Sequence, residues 1–316
     1  MEDMPAWMKI SALLGAAVWL LLVLFRHPSP FESDWAVLIL LLGALVIVPL
    51  GLRLVTDLQG TTAKLWRIAV LLQLPAALLL VVSFAQSRGT LAAALTLPWL
   101  ATTGVIALTG LLRAWSRGWR PIEELCFDAG LMYLVVGGGW TVLSRFGFHP
   151  MGFEDVIVLL TGIHFHYAGF ALPIITGLAA RRLRTGPARL GAAGVILGVP
   201  LVALGITARQ VAWGSWIEVG STWVMSVAGL LTASLLLRLA VRNDGPAAAR
   251  VLWGLAAVAL TFGMVLSMLY GSRSLYPIAA LDIPWMRAFH GTANALGTGL
   301  AGLLAWNVVS SRTSPA

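Results

Sequence analysis

Apolar residues dominate the chain in long uninterrupted runs. Short stretches that hold most of the charge, glycine and tryptophan separate them. Ten runs stand out, at roughly 7–25, 35–55, 65–85, 90–112, 122–145, 154–180, 187–208, 214–240, 250–271 and 284–308. Each is near the ~20 residues that a helix needs to cross a bilayer. They are too long for barrel strands of about ten residues, and they do not alternate. A helix also satisfies its own backbone polar groups, which hydrocarbon cannot do. The pattern predicts an all-α, polytopic transmembrane bundle of about ten helices. The runs use nearly all of residues 1–316, so the expectation is a single transmembrane domain.

Composition agrees. Of 316 residues, 59% are hydrophobic and 11% charged, with a mean hydropathy of +0.88. A water-soluble domain could not hide so much apolar surface. The net charge of +8 would suit nucleic acid, but its placement points elsewhere. With a cytoplasmic N-terminus, fifteen of the 21 Lys and Arg residues fall on the inner side and six on the outer. That bias orients a membrane protein and puts both termini in the cytoplasm. The expected partner of the basic loops is the anionic lipid surface, not nucleic acid. The destination is a cell membrane. Glu2 and Asp3, with no small-residue cleavage site after the first run, argue against a removable signal peptide. The single cysteine, Cys126, excludes a disulfide within the chain and argues against a thiolate metal cluster.

The candidate chemistry lies in two stretches. The first is His164-Phe165-His166-Tyr167-Ala168-Gly169-Phe170-Ala171-Leu172-Pro173, in the middle of the sixth run. Ionisable residues at that depth are functional candidates by default. At about 100° per residue, positions two apart point to opposite faces, so His164 and His166 do not easily chelate one ion from a regular helix. Tyr167 shares the side of His164. Pro173 frees the carbonyl of Gly169. The bland alternative is that both histidines hydrogen-bond neighbouring helices. The second stretch is His290-Gly291-Thr292-Ala293-Asn294-Ala295-Leu296-Gly297, in the tenth run, where His290, Ala293, Asn294, Gly297 and Ala301 form a stripe of small and polar residues. Two acids complete the candidates. Asp128, about one turn into the fifth run, either serves a function or pairs with an arginine such as Arg120. Glu218, early in the eighth, either pairs with Arg209 or lines an outward-facing cavity. His149, in an outer loop, reads mainly as a solvated residue.

The stretches HFHYAGFALP (164–173) and HGTANALG (290–297) resemble signature sequences of the YndJ-like family of bacterial membrane proteins. Locally, His164-Phe165-His166-Tyr167 is also similar to a stretch of subunit I of the haem-copper oxidases. There two histidines, pointing opposite ways from one helix, each ligate a different haem iron. The rest of that pattern is missing: no His-x-x-x-Tyr with a following His-His pair, and no histidine within the first five runs. Oxygen reduction at a copper–haem centre is therefore not expected.

Two readings remain. In one, a haem or a transition metal ion sits between the sixth and tenth helices for redox or small-gas chemistry with a redox partner. His290 and His164 or His166 would be its ligands, and Tyr167 and Asn294 would orient them. In the other, the same histidines, with Glu218 and Asp128, line the path of a small solute or of protons. Phosphate loops, His-Glu-x-x-His and Gly-x-Ser-x-Gly are absent from the sequence.

Overall fold

The structure is a computed structural model that describes residues 3–242 and 245–313. Glu2 lies outside them. The chain is 84% helical, and no strand occurs among the described residues. The ten helices are α1 (Asp3–Arg26), α2 (Ser33–Leu52), α3 (Gly60–Phe84), α4 (Thr90–Ser116), α5 (Ile122–Phe146), α6 (Asp155–Leu183), α7 (Gly186–Gln210), α8 (Ser215–Val241), α9 (Ala247–Gly271) and α10 (283–313). Among the described residues, α1 to α9 are long and apolar enough to cross a membrane. The tenth predicted span exists as a helix, but of another kind. Met286–Gly291 and Ala293–Leu300 are wound as π-helix, and a regular α-helix resumes only at Ala301.

Local chemistry sets the helix starts. Thr185 accepts the Ala188 N–H at the start of α7, and Asp282 accepts the Trp285 N–H at the start of α10. Each cap satisfies one N–H that the first turn leaves without a helical partner. Proline occupies the first turn in both helices, where its missing N–H costs nothing.

Pro75, Pro98 and Pro200 lie inside α3, α4 and α7, which continue through them. Outside α10, the π distortions precede two other prolines. In α2 a π turn at Gly43–Ile47 precedes Pro49, and in α6 a π turn at Tyr167–Ala171 precedes Pro173. A proline ring collides with the carbonyl one turn back and leaves it without a donor. A widened turn accommodates both.

The chain packs as two compact units. The first comprises Met1–Trp119 and Asp128–Ala171. Its centre is α2, of whose most apolar window 89% is buried, against 22% for α1. Side chains from three neighbours donate to its backbone. Trp19 Nε1 reaches Leu38 O at 2.7 Å, Tyr167 Oη reaches Ile39 O at 2.8 Å, and Gln73 Nε2 reaches Ala44 O at 2.7 Å. Of these acceptors only Ala44 lies within the π turn, where carbonyls are displaced from the regular ladder and need other donors in an apolar interior. At the far end of this unit, Arg145 is 6% exposed. It donates to the carbonyls of Ser83 (3.0 Å) and Gln86 (2.7 Å) at the end of α3. A cation there complements the helix dipole.

The second unit comprises Arg120–Phe127 and Leu172–Ala316. Here α7, α8 and α9 pack in sequence, and α10 lies on α9. The helices approach through small residues: a Cβ on Gly194 would stand 2.8 Å from that of Ala228, and one on Gly297 would overlap that of Ala259. Such close approach is how helices associate where lipid removes the hydrophobic drive.

Candidate functional site

The α6 motif is organised by His166, which is fully buried. The indole N–H of Trp99, on α4, donates to His166 Nε2 at 3.1 Å. The two rings are nearly coplanar, 12° apart, with centroids at 5.8 Å. On the other side, His166 Nδ1 lies 2.7 Å from the carbonyl of Gly162. An indole N–H can only donate and a carbonyl can only accept. The network therefore assigns a neutral ring with its proton on Nδ1. Both nitrogens are engaged. Gly43 and Gly137 make the room: a Cβ on the first would lie 3.2 Å from His166 Cβ, and on the second 2.9 Å from Nδ1. The next residue, Tyr167, turns to Ile39 of α2. His164 projects elsewhere, half-buried and edge-on to Phe165 at 5.8 Å. The expected divergence of the two histidines is thus present.

In α10, His290 Nδ1 lies 2.8 Å from the carbonyl of Gly263 on α9. That oxygen can only accept, so Nδ1 carries a proton and, in the neutral ring, Nε2 keeps the lone pair. One turn on, Asn294 donates to the carbonyl of His290 at 2.9 Å, and Thr298 Oγ1 donates to Asn294 Oδ1 at 3.4 Å. A Cβ on Gly263 would overlap the Asn294 amide. Gly263 thus supplies both the acceptor and the space. The ladder His290–Asn294–Thr298 runs through the π-wound part of the helix.

The two acids are ion-paired. Asp128, fully buried, binds Arg113 in the last turn of α4 (Nε to Oδ1, 3.3 Å) and Arg117 just past the end of that helix. Proximity in sequence suggests Arg120, but the ion pairs of Asp128 are made with Arg113 and Arg117. Glu218, 5% exposed, binds Arg209 as expected (3.0 Å) and also Arg273 beyond α9 (2.8 Å). His149 contacts Asp155 at 2.8 Å on an exposed surface.

A haem or metal ion would need lone pairs aimed at a common point. Among the described residues, no group of three or more His, Cys, Asp or Glu side chains could hold a metal ion. His166 does not fit as a ligand in this arrangement, since Trp99 occupies its only lone pair. His290 does fit as an individual ligand, because an imidazole that ligates a metal usually donates its other N–H to a carbonyl or carboxylate. Tyr167 turns to the carbonyl of Ile39, whereas the Asn294 amide, bonded to the His290 carbonyl, also lies 3.4 Å from His290 Nδ1.

Sequence reasoning missed Trp99, Arg113, Arg117, Arg273 and Gly263. Trp99 did leave a signal. Tryptophan favours membrane interfaces, and this one sits about ten residues into its helix. Arg113 and Arg117 stand at a spacing of four around the end of α4, which suits one opposing carboxylate.

Comparison with known proteins bears on both histidine stretches. The family model described as "YndJ-like protein" matches residues 38–298, which include 164–173 and 290–297. The chain belongs to the YndJ-like family. It is also similar to a Bacillus subtilis (strain 168) protein described as "Uncharacterized membrane protein YndJ". The two are 32% identical over 216 residues, 68% of this chain and 38% of that relative. The chain therefore spans well under half the length of that YndJ protein. No solved structure matches. Family membership, the description of the relative and the nine long apolar helices among the described residues make this YndJ-like chain a multi-pass membrane protein in contact with a lipid bilayer.

Proposed function

We propose that the protein carries protons or a small solute across a bacterial inner membrane, with His290, Asn294 and Thr298 of α10 as polar stations on the route. The observation that carries this reading is the winding of α10. A regular helix gives way to π-helix over the segment that bears His290 and Asn294. π turns inside helices gather at functional sites. The carboxylates play a lesser part. Asp128 and Glu218 each face two arginines, which leaves His290 and the half-buried His164 as the side chains suited to exchange a proton within the membrane.

The test is reconstitution of the full chain in liposomes with a pH-sensitive dye inside. Imposed pH and potential gradients should drive a flux that His290→Ala abolishes and His149→Ala spares. A tight, inactive vesicle under proton and small-solute gradients alike would overturn the proposal.

One observation favours a second reading. The tautomer of His290 leaves Nε2 with the lone pair a haem iron or a transition metal ion requires. Such a site would serve redox or small-gas chemistry with a redox partner. An optical spectrum of the purified protein, oxidised and dithionite-reduced, with metal analysis of the same sample, tests it. A Soret band lost in His290→Ala supports haem. A colourless, metal-free protein made with ample haem and metal supply removes this reading.

A further inference from the structure

At one end of the second unit, Glu218 lies beneath two arginines brought from different helices. Arg209 ends α7, Arg273 follows α9, and Glu218 is in the first turn of α8. Arg209 Nη1 donates to Oε2 at 3.0 Å and Arg273 Nη2 donates to Oε1 at 2.8 Å. The carboxylate side chain is 6% exposed, whereas those of Arg209 and Arg273 are 43% and 23% exposed. The negative group is hidden and the two positive forks reach the surface. The ion-paired set itself, one acid against two guanidinium groups, carries a charge of about +1, with Asp282 a further acid acting on Tyr270. Arg273 is fixed twice more, through Nη1 to the carbonyl of Tyr270 (2.8 Å) and over the Tyr270 ring at 4.0 Å. Its guanidinium therefore has supports besides Glu218.

We propose that Arg209 and Arg273 form a binding site for a small oxyanion, a phosphate or a carboxylate, on the outer side of the membrane, and that Glu218 is its built-in competitor. Two guanidinium groups on one carboxylate already display the recognition, since their planar forks match carboxylate and phosphate oxygens alike. An arriving oxyanion shares the excess charge or displaces the Glu218 side chain. The positive-inside count puts this end of α7, α8 and α9 outside. A free anion and a lipid phosphate offer the same chemistry from two sources. The site is independent of whether the protein transports protons or solute.

The experiment uses the full chain purified in a phosphate-free maltoside detergent. Thermal unfolding is followed against inorganic phosphate at constant ionic strength, and separately against phosphatidylglycerol added to the micelles. Phosphate should stabilise the wild type. Glu218→Gln removes the competitor and should tighten apparent phosphate affinity by about tenfold, the scale of one charge-assisted hydrogen bond. Where Glu218→Gln is poorly folded without ligand, phosphate should rescue it. Arg273→Gln should lose the response in both backgrounds. A response to phosphatidylglycerol but not to phosphate assigns the site to a lipid headgroup. If neither ligand shifts the wild type or Glu218→Gln relative to chloride at equal ionic strength, the site does not exist and the cluster is only an ion pair.

Discussion

Trp99 and His166 form a buried hydrogen-bonded pair across α4 and α6, the indole N–H donating to Nε2 at 3.1 Å with the rings nearly coplanar. The pairing closes the last open valence of the imidazole and holds the turn that enters the π segment of α6. Trp99→Phe keeps most of the ring volume and removes the donor. It leaves a buried acceptor unsatisfied, which costs about 1–3 kcal/mol. The variant should unfold at lower temperature in detergent. His166→Ala in the Trp99→Phe background should then cost clearly less than His166→Ala alone, because the shared bond is already gone. Strict additivity in that double-mutant cycle would refute the pairing.

The run Gly137-Gly138-Gly139 contains a sharper comparison. A methyl on Gly137 meets His166 Nδ1 at 2.9 Å and Phe165 Cβ at 3.1 Å, while one on Gly139 meets nothing within 4 Å. Gly137→Ala should therefore destabilise the protein by about 1–3 kcal/mol through overpacking. Gly139→Ala should be neutral or stabilising by up to ~1 kcal/mol from helix propensity. Thermal unfolding of the two variants side by side decides it. Equal effects would mean that α5 does not pack on the His166 ring.

The helices are legible because their signal is long and one-dimensional: each apolar run carries its own length and its own charged ends. The divergence of His164 and His166 was legible for the same reason, being fixed by the helical repeat. Trp99 and Arg273 were not, since each meets its partner across a helix–helix contact far away in sequence, His166 by 67 residues and Glu218 by 55. The π winding of α10 was also hidden. Its glycines read as a surface for close approach, and nothing in a list of residues distinguishes that from a helix that widens. Asp128 shows the limit most plainly. Arg120 is nearer along the chain, but the turn before α5 brings the end of α4 over the carboxylate instead.

On α9, Gly263 is both the acceptor for His290 and the gap that Asn294 fills. Gly263→Ala should push α10 away, at a cost of about 1–3 kcal/mol from overpacking. It should also abolish liposome flux if the α10 ladder is the route. The neighbouring Gly254→Ala is the control, since its added methyl makes only an ordinary 3.8 Å contact with Ala240. Flux that survives Gly263→Ala in a folded protein would remove His290 and Asn294 from the path.

Asp128 is fully buried between Arg113, itself 1% exposed, and Arg117. Removing one partner of a buried ion pair leaves the other charge uncompensated in a poorly solvated place. Asp128→Asn is close to isosteric, so the loss should reflect charge and not volume. It should destabilise the protein by about 3–5 kcal/mol. Arg117→Gln alone should cost less, because Arg113 still neutralises the carboxylate. Combining Asp128→Asn with Arg113→Met, which fills a similar space without charge, should recover part of the loss. Recovery without restored charge would identify the triad as structural, and liposome flux at wild-type level in the same double variant would confirm that Asp128 takes no part in transport. Flux lost in the recovered, folded protein would instead return Asp128 to the list of functional acids.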